Sequence, residues 1–83
     1  MRIRVKLFAT YRELVGARDL LRSVPDGVRL ADFLDGLLRE YPRLAGHRDT
    51  MLLAVNREFV EPTERLRDGD EVAIMPPVSG GRP

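Results

Sequence analysis

Cysteine is absent from this chain and histidine occurs only once, so the usual side chains of several enzyme and metal-site classes are missing. Without cysteine there is no disulfide scaffold, no thiolate metal ligand and no cysteine nucleophile. The single histidine, His47, argues against a histidine-rich metal centre or a serine–histidine triad, and its polar surroundings predict a solvated surface side chain. We therefore expect no metal site, no bound cofactor and little catalytic equipment within the chain.

An excess of one charge sign and a long apolar run are also missing. The 83 residues carry 14 basic and 13 acidic side chains, a net charge of +1, so neither nucleic acid nor an anionic membrane surface is an expected partner. No apolar stretch approaches the roughly 18 residues of a membrane span, and no charged-then-apolar leader opens the sequence. With 43% apolar and 33% charged residues, the composition predicts one small cytoplasmic domain.

The N-terminal third of the chain predicts a strand, a short helix and a second strand. Residues 1–7 alternate apolar with charged side chains, which is the period-two pattern of a half-buried strand. Phe8 then falls on the charged face, where a polar residue is expected. Thr10 to Glu13 has the spacing of a capping box and predicts one or two helical turns that stop at Gly16. Asp19 to Val24 predicts the second strand.

The longest predicted helix follows these elements. Its apolar side chains recur at the helical period and form one stripe, which consists of Leu30, Phe33, Leu34, Leu37, Leu38 and Tyr41. Pro42 ends the pattern, and Arg43 to Asp49 predicts a polar connection. Beyond it, Met51 to Val55 predicts a strand, Phe59-Val60 a short return strand and Glu71 to Met75 the last strand.

Polar residues between these strands have turn chemistry. Asp68 and Asp70 flank Gly69 directly before the last strand, so their carboxylates are expected to bond local backbone rather than to form an acidic site. Asn56, at the turn between the two preceding strands, is expected to bond local backbone in the same way.

The order of these elements predicts an α+β fold, in which one main helix lies across one face of a mixed sheet of four to five strands. This order of elements resembles that of the known β-grasp, or ubiquitin-like, fold, and the resemblance implies that the two terminal strands pair at the centre. We place the folded domain at residues 1–75 and a flexible C-terminal tail at residues 76–83.

The tail has a composition that suits delivery of a chain terminus. Pro76-Pro77 leads out of the last strand, and Gly80-Gly81 follows. Glycine has no Cβ, so a Gly-Gly segment fits a channel too narrow for side chains. An extended chain from Met75 to Gly81 reaches roughly 20 Å, which allows the domain to dock on an enzyme while the terminus enters a buried site. The alternative is a frayed end without a role.

Four blocks of the sequence resemble one family in order and spacing. They are Leu7-Phe8-Ala9 with Arg12-Glu13-Leu14-Val15-Gly16, Leu52-Leu53-Ala54-Val55-Asn56, Leu66-Arg67-Asp68-Gly69-Asp70-Glu71-Val72-Ala73, and Pro76-Pro77-Val78-Ser79-Gly80-Gly81. Together they are similar to the small subunit of molybdopterin synthase, the MoaD type. The related thiamine sulfur carrier is less similar in the first block and in the Pro-Pro.

The resemblance implies a sulfur carrier. In this family an ATP-dependent activating enzyme of the MoeB type adenylates the carboxylate that corresponds to Gly81, which then becomes a thiocarboxylate. The large synthase subunit, of the MoaE type, receives it and transfers the sulfur to cyclic pyranopterin monophosphate in molybdenum cofactor biosynthesis. Gly80 and Gly81 would be the reactive end, and the preceding tail residues would contact these partners: Pro76, Pro77, Val78 and Ser79.

Phe8, Phe59 and Met75 are apolar side chains at positions where the strand pattern predicts exposure. They match family positions that contact the large subunit and the activating enzyme through the open face of the sheet. An exposed apolar cluster bordered by arginine is typical of a partner surface. The alternative is that one or two of them cover a secondary edge of the core.

The chain departs from the family pattern at its end, because Arg82 and Pro83 follow Gly81. Gly81 is then in a peptide bond and has no carboxylate to adenylate. Three accounts remain open: a peptidase removes the two residues, the sequence is part of a longer polypeptide, or the carrier role is lost. Two further functions also stay open, a sulfur carrier for tRNA thiolation, thiamine or cysteine synthesis, and a module that only binds.

Overall fold

The computed structural model describes residues 1–77, and within that range it contains five strands, three α-helices and one 3₁₀ turn. In chain order these are β1 Arg2–Leu7, α1 Ala9–Val15, β2 Asp19–Ser23, α2 Leu30–Glu40, α3 Pro42–Ala45, the 3₁₀ turn Arg48–Thr50, β3 Leu52–Val55, β4 Glu58–Phe59 and β5 Glu71–Met75. Among these residues no helix is long and apolar enough to cross a membrane.

The five strands form one mixed sheet with the order β2-β1-β5-β3-β4. The two terminal strands, β1 and β5, lie side by side at its centre and run parallel, with Val5 opposite Val72. The other three pairings are antiparallel. This confirms the predicted α+β class and the β-grasp order.

The core lies between one face of the sheet and α2. Ile3, Val5, Val72 and Ile74 point to this face and are completely buried. The α2 stripe packs against them through Leu30, Phe33, Leu34, Leu37 and Leu38. Alternate residues of β1 and β5 therefore point to the opposite side of the sheet, which we call the open face.

The edge strand β2 is attached to the end of α2 by one side chain. The Arg22 guanidinium donates to the Glu40 carboxylate, at 3.0 Å from Nε, and to the Tyr41 hydroxyl, at 2.9 Å. Mainly through its hydrogen bond to the Glu40 carboxylate, Arg22 holds the pKa of Glu40 below its ordinary value. The expectation that Tyr41 belongs to the core is confirmed in part, because its ring is half-buried while its hydroxyl meets Arg22.

The capping box predicted at Thr10 is wrong. Helix α1 begins at Ala9, its N-cap residue is Phe8, and no side chain caps it. The chain turns directly after β1 at Ala9, whose φ is +52°, and the helix begins there and not at Tyr11, two residues too early for Thr10 to cap it. The predicted stop at Gly16 is confirmed, since Gly16 has φ +85° and its N–H donates to the Arg12 carbonyl.

The connection predicted at Arg43 to Asp49 is more ordered than its polar composition indicates. Pro42 ends the α2 pattern but also begins α3, where its missing N–H is not needed. Leu44 of α3 is completely buried and belongs to the core cluster. This segment therefore covers one end of the core.

Candidate functional site

The three apolar residues predicted to form a partner surface lie around one groove on the open face. Phe8, Phe59 and Met75 line a concavity of about 390 Å³, which we call the open-face groove. Phe8 is 38% exposed and Phe59 is 72% exposed, while Met75 is half-buried. The alternative that these side chains extend the core is not supported, because none of them belongs to the core cluster.

Strand register explains why the groove is concave. Ala54 of β3 lies opposite Ala73 of β5 and, on its other side, opposite Phe59 of β4. The two alanines form a floor of small side chains, while Phe8, Phe59 and Met75 are the larger groups around it. Neither alanine was predicted from the sequence to belong to this surface. Alanine at outward-facing strand positions beside large apolar residues is the signal that identifies such a floor.

The groove is fixed at both ends by backbone contacts. The Phe8 N–H donates to the Ile74 carbonyl of β5 at 3.3 Å, which joins the exit of β1 to the strand that carries Met75. At the other end, the hairpin between β3 and β4 presents Phe59 through direct pairing with Ala54. The groove is therefore part of the sheet and not of a long loop.

Charged side chains complete the lining of the groove. Lys6, Arg57 and Glu71 contribute two positive charges and one negative charge. Lys6 and Phe8 also line an adjoining hollow whose other charged residues are Arg12, Arg18 and Asp19. Within residues 1–77, neither Lys6 nor Arg57 forms an ion pair within 4.0 Å. The borders of the groove are therefore basic and available to a partner.

The acidic residues before β5 bond the protein's own backbone and a neighbouring amide, but only Asp70 bonds backbone within its own turn, as predicted. Asp68 accepts from the Arg2 N–H at 2.7 Å. Asp70 accepts from the Arg67 N–H and from the side chain of Asn56, both at 2.8 Å. Asp70 thus has the predicted turn role, whereas Asp68 binds the start of β1, a segment distant in the sequence. His47 is exposed, and its ring lies beside that of Tyr11, with centroids 5.4 Å apart.

The groove lies next to the start of the C-terminal segment. Strand β5 ends at Met75, which lines the groove; Pro76 is half-buried and Pro77 is exposed. The other residues predicted to act in partner binding and chemistry, Val78, Ser79, Gly80 and Gly81, lie outside the described residues, as do Arg82 and Pro83.

Comparison with known proteins identifies the family of this chain. The model of the ThiS family matches residues 5–81. The molybdopterin synthase sulfur carrier subunit of Chlamydomonas reinhardtii is 40% identical, covering 98% of this chain and all of that protein. The subunit of the same name from Arabidopsis thaliana is also 40% identical, covering 95% of this chain and 82% of that protein.

Solved structures agree in fold. The crystal structure of small archaeal modifier protein 1 from Haloferax volcanii superposes with a TM-score of 0.84 at 30% identity, covering 93% of this chain and 98% of that chain. The sequence relatives span nearly the whole chain, including the strands that build the open-face groove. The chain therefore belongs to the ThiS family, and sulfur carrier subunits of molybdopterin synthase are its relatives.

Proposed function

We propose that this protein is the sulfur-carrier subunit of molybdopterin synthase. In this role Gly81 carries sulfur as a C-terminal thiocarboxylate and donates it to cyclic pyranopterin monophosphate. The carrier acts in the cytoplasm and is no enzyme by itself, because the activating enzyme and the large synthase subunit bring the catalytic groups. It binds no cofactor of its own, and ATP is consumed by the activating enzyme.

The observation that carries this proposal is the position of the open-face groove. Met75 lines the groove and is the last residue of β5, so a protein docked there lies directly at the start of the tail. An extended segment from Met75 to Gly81 spans roughly 20 Å, enough to reach a site below the docking surface. The match to the ThiS family, which extends to Gly81, supports the proposal.

The chemistry requires a free carboxylate at Gly81. Its oxygen attacks the α-phosphate of ATP and releases pyrophosphate, which turns a poor electrophile into an acyl-adenylate with a good leaving group. A sulfur nucleophile from the activating system then displaces AMP. This sequence of steps needs no acid, base or metal from the carrier, in keeping with the absence of cysteine and the single histidine.

Removal of Arg82 and Pro83 is part of this proposal. As long as Gly81 is joined to Arg82, its carbonyl is an amide and cannot be adenylated. A peptidase that cuts after Gly81 would expose the carboxylate. The residues from Pro76 to Ser79 would then lie in the entrance of each partner's channel.

Reconstituted sulfur transfer tests the proposal. The chain ending at Gly81 is incubated with the adenylating enzyme, ATP and a sulfur source, then with the large subunit and cyclic pyranopterin monophosphate. We expect molybdopterin from this form, and none from the chain that keeps Arg82-Pro83 or from Gly81→Ala in the shortened chain. Equal product from the uncut 83-residue chain would contradict the proposal. If cutting the tail leaves partner binding and every activity unchanged, the protein is a binding module.

A second candidate is a carrier or modifier of the same fold in another pathway, such as tRNA thiolation, thiamine or cysteine synthesis. The similarity to a small archaeal modifier protein favours including it. Purification of the tagged protein from its native cells separates the two. The large synthase subunit in the eluate supports the first proposal, whereas target proteins joined to Gly81 by an isopeptide bond support a modifier.

A further inference from the structure

The turn between β3 and β4 is held in a conformation that does not suit its second residue. The hairpin pairs Val55 with Glu58, which leaves Asn56 and Arg57 as a two-residue loop. Their φ angles are +52° and +70°, as a type I′ turn requires. Asparagine tolerates this region, but the second position is usually glycine because a Cβ there meets the backbone. The hairpin itself therefore gives no reason for an arginine.

Two residues with this backbone conformation lie at the two ends of the open-face groove. Within residues 1–77, the non-glycine residues at positive φ are Ala9, Asn56 and Arg57. Ala9 directly follows Phe8 at one end, and Arg57 lines the groove at the other end beside Phe59. Strained backbone that persists in a small domain is concentrated at functional sites. The strain at Arg57 thus coincides with the proposed docking surface.

Folding within the described residues does not explain the Arg57 side chain. It is exposed and belongs to no core cluster, and among residues 1–77 it forms no ion pair within 4.0 Å. Its position beside Phe59, and across the groove from Lys6, gives the border of an apolar concavity two positive charges against the one carboxylate of Glu71. Charge complementarity then requires a partner with negative charge beside its apolar contact.

We infer that Arg57 is a specificity-determining residue of the groove: it binds a carboxylate of a protein that inserts an apolar side chain between Phe8, Phe59 and Met75. The inference rests on the proposed function, which supplies the partner. The chain keeps an arginine at a glycine-like position because this contact with the partner outweighs the strain. It follows that glycine at position 57 improves the fold and weakens the complex.

Three substitutions separate charge from strain. Arg57→Gln keeps the strain and removes the charge, Arg57→Lys keeps both, and Arg57→Gly removes both. Arg43→Gln is the matched control, because Arg43 is exposed on α3, away from the groove. Each variant is made in the 83-residue chain and in the form ending at Gly81. Thermal unfolding measures stability, and calorimetric titration with the purified large synthase subunit measures affinity in a salt series.

We expect Arg57→Gly to raise the Tm by about 2 to 6 °C, while Arg57→Gln leaves it unchanged. Both should bind the large subunit roughly two- to fivefold more weakly at low salt and lose part of the salt dependence, whereas Arg57→Lys and Arg43→Gln bind as the parent chain does. Parent-like affinity and salt dependence of Arg57→Gln would overturn the inference, as would a lower Tm of Arg57→Gly.

The same samples distinguish this inference from the proposed function. If the parent chain binds but is never thiocarboxylated, the carrier role fails and the Arg57 result still decides the docking contact. If the parent chain is thiocarboxylated and binds the large subunit, but the Arg57 variants bind equally well, only the inference fails. If the parent chain does not bind the large subunit in either form, both are overturned.

Discussion

Asn56 and Glu71 are joined by two hydrogen bonds across the sheet. The Asn56 N–H donates to the Glu71 carbonyl at 2.8 Å, and the Glu71 N–H donates to the Asn56 side-chain oxygen at 3.0 Å. The remaining Asn56 amide group donates to Asp70 at 2.8 Å. One side chain therefore ties the β3–β4 hairpin, which presents Phe59, to the start of β5.

The first prediction concerns this link. Asn56→Ala should lower the free energy of unfolding by about 2 kcal/mol, because it removes two hydrogen bonds and places a Cβ without compensation at positive φ. Asn56→Gly loses the same hydrogen bonds without the φ penalty and should cost less. Urea unfolding of the two variants checks this order. Equal stability of Asn56→Ala and the parent chain would show that the link does not hold the hairpin.

The second prediction separates docking from folding at Phe59. Because the side chain is 72% exposed, Phe59→Ala should change the free energy of unfolding by less than about 1 kcal/mol. Binding to the large synthase subunit should weaken by about tenfold or more, since an aromatic anchor is lost from the groove. Leu21→Ala is the control, as Leu21 is 51% exposed but does not line the groove. A variant that binds normally would exclude Phe59 from the interface.

The third prediction concerns the pH dependence of stability at Glu40. Its pKa is lowered in the folded protein by the hydrogen bond from Arg22, so the contribution is present above the unfolded pKa and is lost as pH falls through the folded pKa. Glu40→Gln should therefore destabilise the protein at neutral pH by about 0.2–1 kcal/mol, the range for partly exposed pairs.

The difference between Glu40→Gln and the parent chain should be present at neutral pH and decrease at acid pH, as Glu40 becomes protonated in the folded protein. Glu13→Gln, at an exposed position on α1, is the matched control. Urea unfolding at both pH values makes the comparison. A loss that is as large at acid pH as at neutral pH would mean that the pair acts through packing and not through charge.

The fourth prediction tests the role of the short helix α3. Leu44 is completely buried, so Leu44→Ala should lower the free energy of unfolding by about 2–4 kcal/mol. The exposed Ala45→Ser, one residue further on the same helix, should cost under about 1 kcal/mol. Thermal unfolding of both variants decides this. A small loss at Leu44 would mean that the segment after α2 is not part of the core.

Much of the fold follows from periodicity in the sequence. The alternation of residues 1–7 and the six-residue stripe from Leu30 to Tyr41 each bury one face, and β5 is found at the predicted residues, Glu71–Met75. The strand order does not follow from periodicity, because the parallel pairing of β1 with β5 joins residues far apart in the chain. It was supplied by the resemblance to a known family.

The predictions that the structure corrects, at Thr10 and after Pro42, failed for local physical reasons. At Thr10 the capping-box spacing was present, but Ala9 takes a left-handed conformation and moves the start of the helix. At Pro42 the same residue that ends one helix begins another, which composition alone does not distinguish. The convergence of Phe8, Phe59 and Met75 was predicted, but the floor of Ala54 and Ala73 and the strain at Arg57 depend on register and dihedral angles that only the folded chain defines.

The intact mass of the protein from cells that co-express the adenylating enzyme with a sulfur source tests the central claim most directly. The account predicts a species that ends at Gly81 and is heavier by one oxygen-to-sulfur exchange, and a Gly81→Ala variant that lacks this species. A single species that keeps Arg82 and Pro83 and contains no added sulfur, in cells that also hold the processing peptidase, would contradict the carrier assignment.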